Sequence, residues 1–291
     1  MGGSESKTQT ETPSPEFDIP WRETLWDKKE VLEKNLREFE LSDSNVKYVR
    51  ILLAGEVGTG KSSFINSVNS AFQGRITTEA LADSVSGTSF TKTYRTYYIR
   101  NGESVLPFVF NDIMGLESGA SQGADPEDIA KSLEGLLKEE YNFNPTNSAK
   151  KEDCRSETSP EDLSYCLVYV IAADKVSQMN QDVFQKMKHI RQKASALEIP
   201  QAVIMTRVDE ECPLVKKSLR KIYTSKKIKE KMQQCSISVG VPVSHIFPVK
   251  NYHEESDTQN DMDVLILRAL MQIVQIADDL LNRRKTDSEK L

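Results

Sequence analysis

The chain has 291 residues, 38% of them hydrophobic and 28% charged, and a formal net charge of −6. That is enough apolar content for a sizeable core in one or two domains, and the acidic excess gives no support to bulk nucleic-acid binding. Four cysteines (Cys154, Cys166, Cys212, Cys235) and three histidines (His189, His245, His253) form neither a C-x-x-C pair nor a zinc pattern, and no apolar run approaches the ~20 residues of a membrane span.

The N-terminus lacks the basic region and apolar core of a secretory signal. A cytoplasmic protein with reduced cysteines is expected. Residues 1–18 are polar and hold two prolines, so a disordered tail is predicted. Residues 19–46 form a lead-in. Within it Trp21, Leu25, Trp26, Val31, Leu32, Leu36 and Phe39 recur at helical spacing, which predicts an amphipathic helix over 21–40.

A domain over residues 47–285 follows, with 286–291 as a tail. Val49–Ala54 is a short apolar run of the kind buried parallel strands show. A Gly-rich turn and a helix through Phe64, Ile65, Val68 and Phe72 come next. Strands are predicted at Thr91–Ile99, Val105–Phe110, Leu163–Ala172, Ala202–Met205 and Val243–Val249. Helices are predicted at Gln181–Leu197, at Leu214–Gln234 in one piece or two, and at Asp263–Arg283, the last capped by Asp261 or Asp263. Strands alternating with helices imply an α/β fold: three layers, with a mainly parallel sheet between helices. The polar loop from Tyr141 to Glu161 interrupts the pattern, and a loop of that length is functional or mobile.

Residues 55–62 read Gly-Glu-Val-Gly-Thr-Gly-Lys-Ser, or G-x-x-x-x-G-K-[ST], between a strand and a helix. This is a P-loop. Gly55, Gly58, Thr59, Gly60, Lys61, Ser62 and Ser63 are the candidate phosphate cradle: backbone N–H groups and the helix N-terminus meet phosphate oxygens, and Lys61 reaches the β and γ phosphates. The Ser62 hydroxyl is a candidate magnesium ligand. A second strand ends in Asn111-Asp112-Ile113-Met114-Gly115, a D-x-x-G. Asp112 is positioned to hold Mg2+ through water, and the Gly115 amide to meet the γ-phosphate. Between these motifs lies Ser84–Thr91, where a threonine would complete the metal shell. Thr88 is the first candidate and Thr91 the second.

Guanine is told from adenine by a carboxylate that accepts from N1–H and the 2-amino group. Thr206-Arg207-Val208-Asp209 at a strand end supplies one in Asp209, with Thr206 as the small polar residue and Arg207 in place of the usual lysine, its flat guanidinium able to lie over the base. The tail of the next strand offers Val249 and Lys250 as candidates for backbone amides to the guanine carbonyl.

Together these segments (51–74, 87–99, 106–117, 141–145, 206–209 and 263–270) resemble the interferon-induced protein 44 and 44-like family. The resemblance covers about residues 47–283 and implies a GTPase-type P-loop fold in a cytoplasmic GTP-binding protein of the antiviral interferon response. It implies no established catalytic chemistry. The expected ligands are GTP or GDP with Mg2+.

Two functional expectations stay open. One is a nucleotide-dependent interaction switch with slow or partner-stimulated hydrolysis. The other is a nucleotide-independent scaffold that keeps the fold. Leu116 stands where a water-orienting glutamine follows D-x-x-G in Ras-like proteins, and leucine cannot hydrogen-bond water, so slow turnover is expected. Arg95 and Arg100 are the arginines nearest the switch-like segment. Self-association through the nucleotide face is one expected route to activation, and protein partners are not specified by sequence. Two features bear on membranes. The run Lys216–Lys231 has eight basic residues against Glu230, read first as a solvated helix face. Met1–Ser6 matches M-G-x-x-x-[ST], a myristoylation pattern at Gly2, and one such chain gives only marginal membrane binding.

Overall fold

The structure, a computed structural model, describes residues 14–80, 92–119 and 122–290. Thr88, Thr91 and Gly2 lie outside the described residues. In chain order the elements are α1 (Lys29–Arg37), β1 (Val49–Ala54), α2 (Lys61–Gln73), β2 (Arg95–Asn101), β3 (Ser104–Asp112), α3 (Pro126–Leu133), β4 (Ser164–Ala172), α4 (Gln181–Ala196), β5 (Gln201–Thr206), α5 (Val208–Glu211), α6 (Pro213–Lys217), α7 (Lys226–Val239), β6 (Ile246–Pro248) and α8 (Asn260–Ser288).

The strands order as β2-β3-β1-β4-β5-β6. All neighbours are parallel except β2 and β3, which form an antiparallel edge pair. Central strands need apolar residues on both faces, and β4 (SYCLVYVIA) is buried at every position. One face of the sheet carries α2 and α8, with α1 lying on α8. The other carries α3, α4 and α7. This is the three-layer α/β fold of a P-loop NTPase. The order reverses beside β1, so the carboxyl ends of β1, β3, β5 and β6 open onto one edge, where doubly wound folds bind ligands.

Several elements depart from the sequence reading. The lead-in helix is shorter than 21–40: only Lys29–Arg37 is helical. Trp21 and Trp26 are instead half-buried by long-range packing against the core, with Trp21 edge-on to Tyr223 at 5.1 Å. The end of the expected tail is ordered: Phe17 N–H donates to Thr224 O at 2.8 Å and Glu16 pairs with Lys221 at 2.6 Å. The 214–234 segment, by contrast, is helical in separate pieces as the two-piece reading allowed, and α7 restarts after Ser225, whose side chain caps the Ile228 amide. The last strand covers only Ile246–Pro248, after a 3-10 turn at Val243–His245. α8 extends into the expected C-terminal tail, and neither Asp261 nor Asp263 caps it; Gln259 takes that position without a side-chain bond.

The Tyr141–Glu161 loop is held in place. Buried Asp128 accepts from the Tyr141 hydroxyl (2.7 Å), the Ala149 amide (2.7 Å) and Lys131 (3.1 Å). The basic run is largely matched within the chain: Lys227 and Lys231 face Glu211, Arg220 faces Asp261, and Lys226 and Lys229 lie over the Phe17 ring. This supports the solvated-face reading over an anion-binding surface. Arg95 and Arg100 pair with Glu140 and Glu79 from the edge strand β2. Among the described residues no helix is long and apolar enough to cross a membrane.

Candidate nucleotide site

A cavity of about 410 Å3 opens at the carboxyl edge of the sheet. Its walls are Gly58–Ser63 on one side and residues from Thr206 to Glu210 and Lys250 to Glu255 on the other, with Lys216 at the rim. It lies within the usual ~300–1,000 Å3 range of small-ligand sites.

The P-loop wall starts where β1 ends. Gly60 has φ +92°, a backbone conformation that demands glycine, and a Cβ there would also press on the Asn251 amide at 2.9 Å. α2 begins immediately after, directing the positive end of its dipole at the cavity. Lys61 Nζ is held over the loop by the carbonyls of Gly55 (3.2 Å) and Glu56 (3.1 Å). Ser62 Oγ donates to Asp112 Oδ2 at 2.6 Å. The structure therefore brings together the hydroxyl and carboxylate that the sequence assigned to magnesium, although they are 50 positions apart. Mg2+ favours this kind of sparse site, taking one or two protein oxygens plus phosphates and water.

The opposite wall is tied to the loop through three consecutive carbonyls. Arg207 Nη2 donates to Gly58 O (2.7 Å), Thr206 Oγ1 to Thr59 O (2.7 Å) and Asn251 Nδ2 to Gly60 O (3.0 Å). A trans peptide sets its N–H opposite its C=O, so these bonds fix how three successive peptide planes face. Arg207 reaches this position from a left-handed backbone (φ 54°) and also approaches Asp174 at 3.8 Å. Asp209 lies in the cavity wall with Lys250 Nζ 3.6 Å from its Oδ2.

Two sequence assignments change. Val249 is fully buried and its amide donates to Met205 O at 2.8 Å, continuing the β5–β6 ladder. It has no amide to offer a base, and the free end of the strand begins one or two residues later. Leu116 does not face the cavity. Its side chain is buried, its amide donates to Gly55 O (2.9 Å) and its carbonyl accepts from Val57 (3.1 Å). The D-x-x-G segment is thus zipped onto the P-loop. Gly115 is required there by contact, since a Cβ would lie 2.6 Å from Val57 Cγ2.

Asn251 and Glu255 were not read from the sequence. The acid-rich segment His253-Glu254-Glu255 after β6 was the available signal. Burial would raise the Glu255 carboxyl, but bonds from the His253 amide and Lys250 outweigh it and hold it at about 2.

No protein-family model matches the chain. It is 35% identical over 250 residues to interferon-induced protein 44 of Homo sapiens and to that of Pan troglodytes, a region that is 84% of this chain and 56% of each of those proteins. It is 31% identical over 251 residues to interferon-induced protein 44-like of Homo sapiens, covering 85% of this chain and 55% of that one. The chain spans about half the length of the curated relatives it matches. Among solved structures it is similar to Toc33 from Arabidopsis thaliana, crystallised with GDP and Mg2+, at 14% identity and a TM-score of 0.48, over 87% of this chain and 91% of that chain.

Proposed function

We propose that this chain, related over 84% of its length to the interferon-induced proteins 44 and 44-like, binds GTP and GDP with Mg2+ and acts as a nucleotide-dependent interaction switch. One observation carries the reading: the T-R-V-D strand end and Asn251 bond three consecutive P-loop carbonyls. That network holds a phosphate cradle and a base-reading carboxylate on facing walls of one cavity, the geometry a nucleoside phosphate needs at its two ends.

Lys61 would neutralise phosphate charge, and Ser62 and Asp112 are the residues that would hold Mg2+, which would supply further charge neutralisation at the phosphates. Thr206, Arg207 and Asp209 form the base end. The Leu116–Gly55 and Val57–Leu116 bonds bring the D-x-x-G segment down beside the loop. A γ-phosphate that recruits the Gly115 amide has to draw on this same segment, which gives GTP and GDP different effects on one element. Slow hydrolysis is expected, because Leu116, at the position of the water-orienting glutamine, has no side chain that can hydrogen-bond water. We extend to this chain the interferon-induced setting that the relatives' names carry, and infer an antiviral role in the cytoplasm with self-association or another protein as partner.

Isothermal titration of the full chain with GDP, GTP and ATP in magnesium tests the reading. Saturable binding of both guanine nucleotides and weak binding of ATP are expected. Equal binding of all three would remove guanine selectivity. Binding of none would favour the scaffold alternative.

A further inference from the structure

At the base end of the cavity Lys250 stands between two carboxylates. Its Nζ is 2.7 Å from Glu255 Oε1 and 3.6 Å from Asp209 Oδ2. The first contact is a short charge-assisted bond. The second is beyond hydrogen-bond length, so it is an ion pair at a distance rather than a bond. Glu255 is itself fixed, because its Oε2 accepts from the amides of His253 (3.0 Å) and Glu254 (3.3 Å). The ammonium is therefore anchored from one side by a carboxylate set in its own loop. It carries three donors, Glu255 occupies one, and all three residues line the cavity.

The acceptor–donor order matters. Asp209 presents an acceptor and Lys250, beside it, a donor. The guanine edge presents the complement: N1–H and the 2-amino group as donors, then O6 as acceptor. Adenine presents the reverse, with N1 as acceptor and the 6-amino group as donor. An ammonium placed next to the base-reading carboxylate would meet O6 of guanine favourably and the 6-amino group of adenine unfavourably. Of the two amides that the sequence offered for O6, that of Val249 is spent on Met205 O, which leaves the backbone amide of Lys250 as the alternative to its side chain.

We propose that the Lys250 side chain is a second base-reading group, donating to the C6 carbonyl of guanine while Asp209 accepts from the N1 edge. Glu255 is its positioning residue, holding the ammonium at the height of the base. The assignment rests on the reading of this cavity as a guanine-nucleotide site. It gives specificity by two mechanisms, attraction to a carbonyl and repulsion of an amino group, and the second is what excludes adenine.

The test changes one atom of the ligand and one side chain of the protein. Affinities of the full chain and of Lys250→Met are measured for GDP, 6-thio-GDP and ADP, with thermal melts confirming that the variant is folded. Sulfur at C6 is a weak acceptor and leaves N1–H and the 2-amino group in place. Wild type should prefer GDP over 6-thio-GDP by about 10–100-fold, the scale of one hydrogen bond to a charged group. Lys250→Met should bind GDP about 10-fold more weakly, show little or no preference between GDP and 6-thio-GDP, and lose part of its discrimination against ADP. Glu255→Gln, which keeps the lysine, should give an intermediate loss of the same preference. An undiminished preference for GDP over 6-thio-GDP in Lys250→Met would overturn the proposal and pass the role to a backbone amide such as that of Asn251. Equal loss of affinity for both guanine ligands would also overturn it, leaving Lys250 as structural support for Asp209. These results leave the guanine-site reading standing. Failure of wild type to bind GDP would remove both.

Discussion

Lys29 Nζ lies 2.7 Å from Asp263 Oδ2, an ion pair between the lead-in helix and the first turn of α8 in which the acid is fully buried. The other carboxylate oxygen accepts from the Tyr252 hydroxyl at 2.7 Å, and the Tyr252 amide donates to Ser67 Oγ at 3.0 Å. One carboxylate thus connects α1, α8 and the loop that walls the base end of the cavity. Burial, then the bond to Asp263, pushes the Tyr252 hydroxyl pKa up, so this donor keeps its proton throughout the ordinary pH range.

Lys29→Ala leaves that buried carboxylate without its counter-ion, which should cost about 3–5 kcal/mol of stability. Asp263→Asn in the same background should recover part of the loss. Urea denaturation measures both, and a loss below about 1 kcal/mol for the single variant would show that the pair is not a structural anchor.

Lys61→Ala should weaken GDP and GTP binding at least 100-fold while the fold persists. Its ammonium donates to the loop carbonyls of Gly55 and Glu56, so the substitution removes the charge offered to phosphate while the apolar face of α2 stays in place. Equal affinity in a folded variant would refute the phosphate assignment.

Asp209→Asn should reduce guanine-nucleotide affinity about 10–100-fold, by exchanging an acceptor for an amide donor facing the base's own donors. Competition of GTP against ATP reads the loss of selectivity. An unchanged preference would mean that the base is read elsewhere.

The purified chain at low concentration should hydrolyse GTP no faster than the intrinsic Ras-like scale of about 10⁻⁴ per second. A single-turnover assay across a range of protein concentrations checks this. A fast rate independent of concentration contradicts the role given to Leu116. A rate that climbs with concentration would show that a second copy completes the site.

The four thiols should differ in reactivity. Burial pushes the Cys166 and Cys235 thiols up to about 12, whereas Cys154 is half-buried. At pH 8 iodoacetamide should label Cys154 in the native protein and reach Cys166 and Cys235 only after unfolding. Mass spectrometry of timed samples decides it, and early labelling of Cys166 would contradict the burial of β4.

What the sequence disclosed tracks how local each signal was. The phosphate loop was legible because its glycines, Lys61 and Ser62 sit in eight consecutive positions next to an apolar run. Asp112 was legible from its place at a strand end. The lead-in was not: Trp21 and Trp26 have helical spacing, yet they pack half-buried against Tyr223 and Arg220, some 200 positions away, and spacing cannot tell the two causes apart. Val249 was misassigned because a single sequence does not show how far the β5–β6 ladder runs before the strand releases its amides. Asn251 had no motif at all. Its role appears only when the end of β6 is folded against Gly60.

The docking of residues 14–42 has a consequence for how the chain is made. Ser42 binds Asp278, 236 positions later, and Phe17 meets Thr224. At a translation rate of roughly 5–20 residues per second, this segment leaves the ribosome about 10–50 s before α8 is complete. Through that interval Trp21, Trp26 and Leu36 have no surface to cover them, although β1 and α2 are already available to form the phosphate loop. The nucleotide-binding core therefore matures before its wrapping does. The nascent protein passes through a stage in which residues 14–42 await the surface that covers them, and that stage is where a chaperone would have most to do.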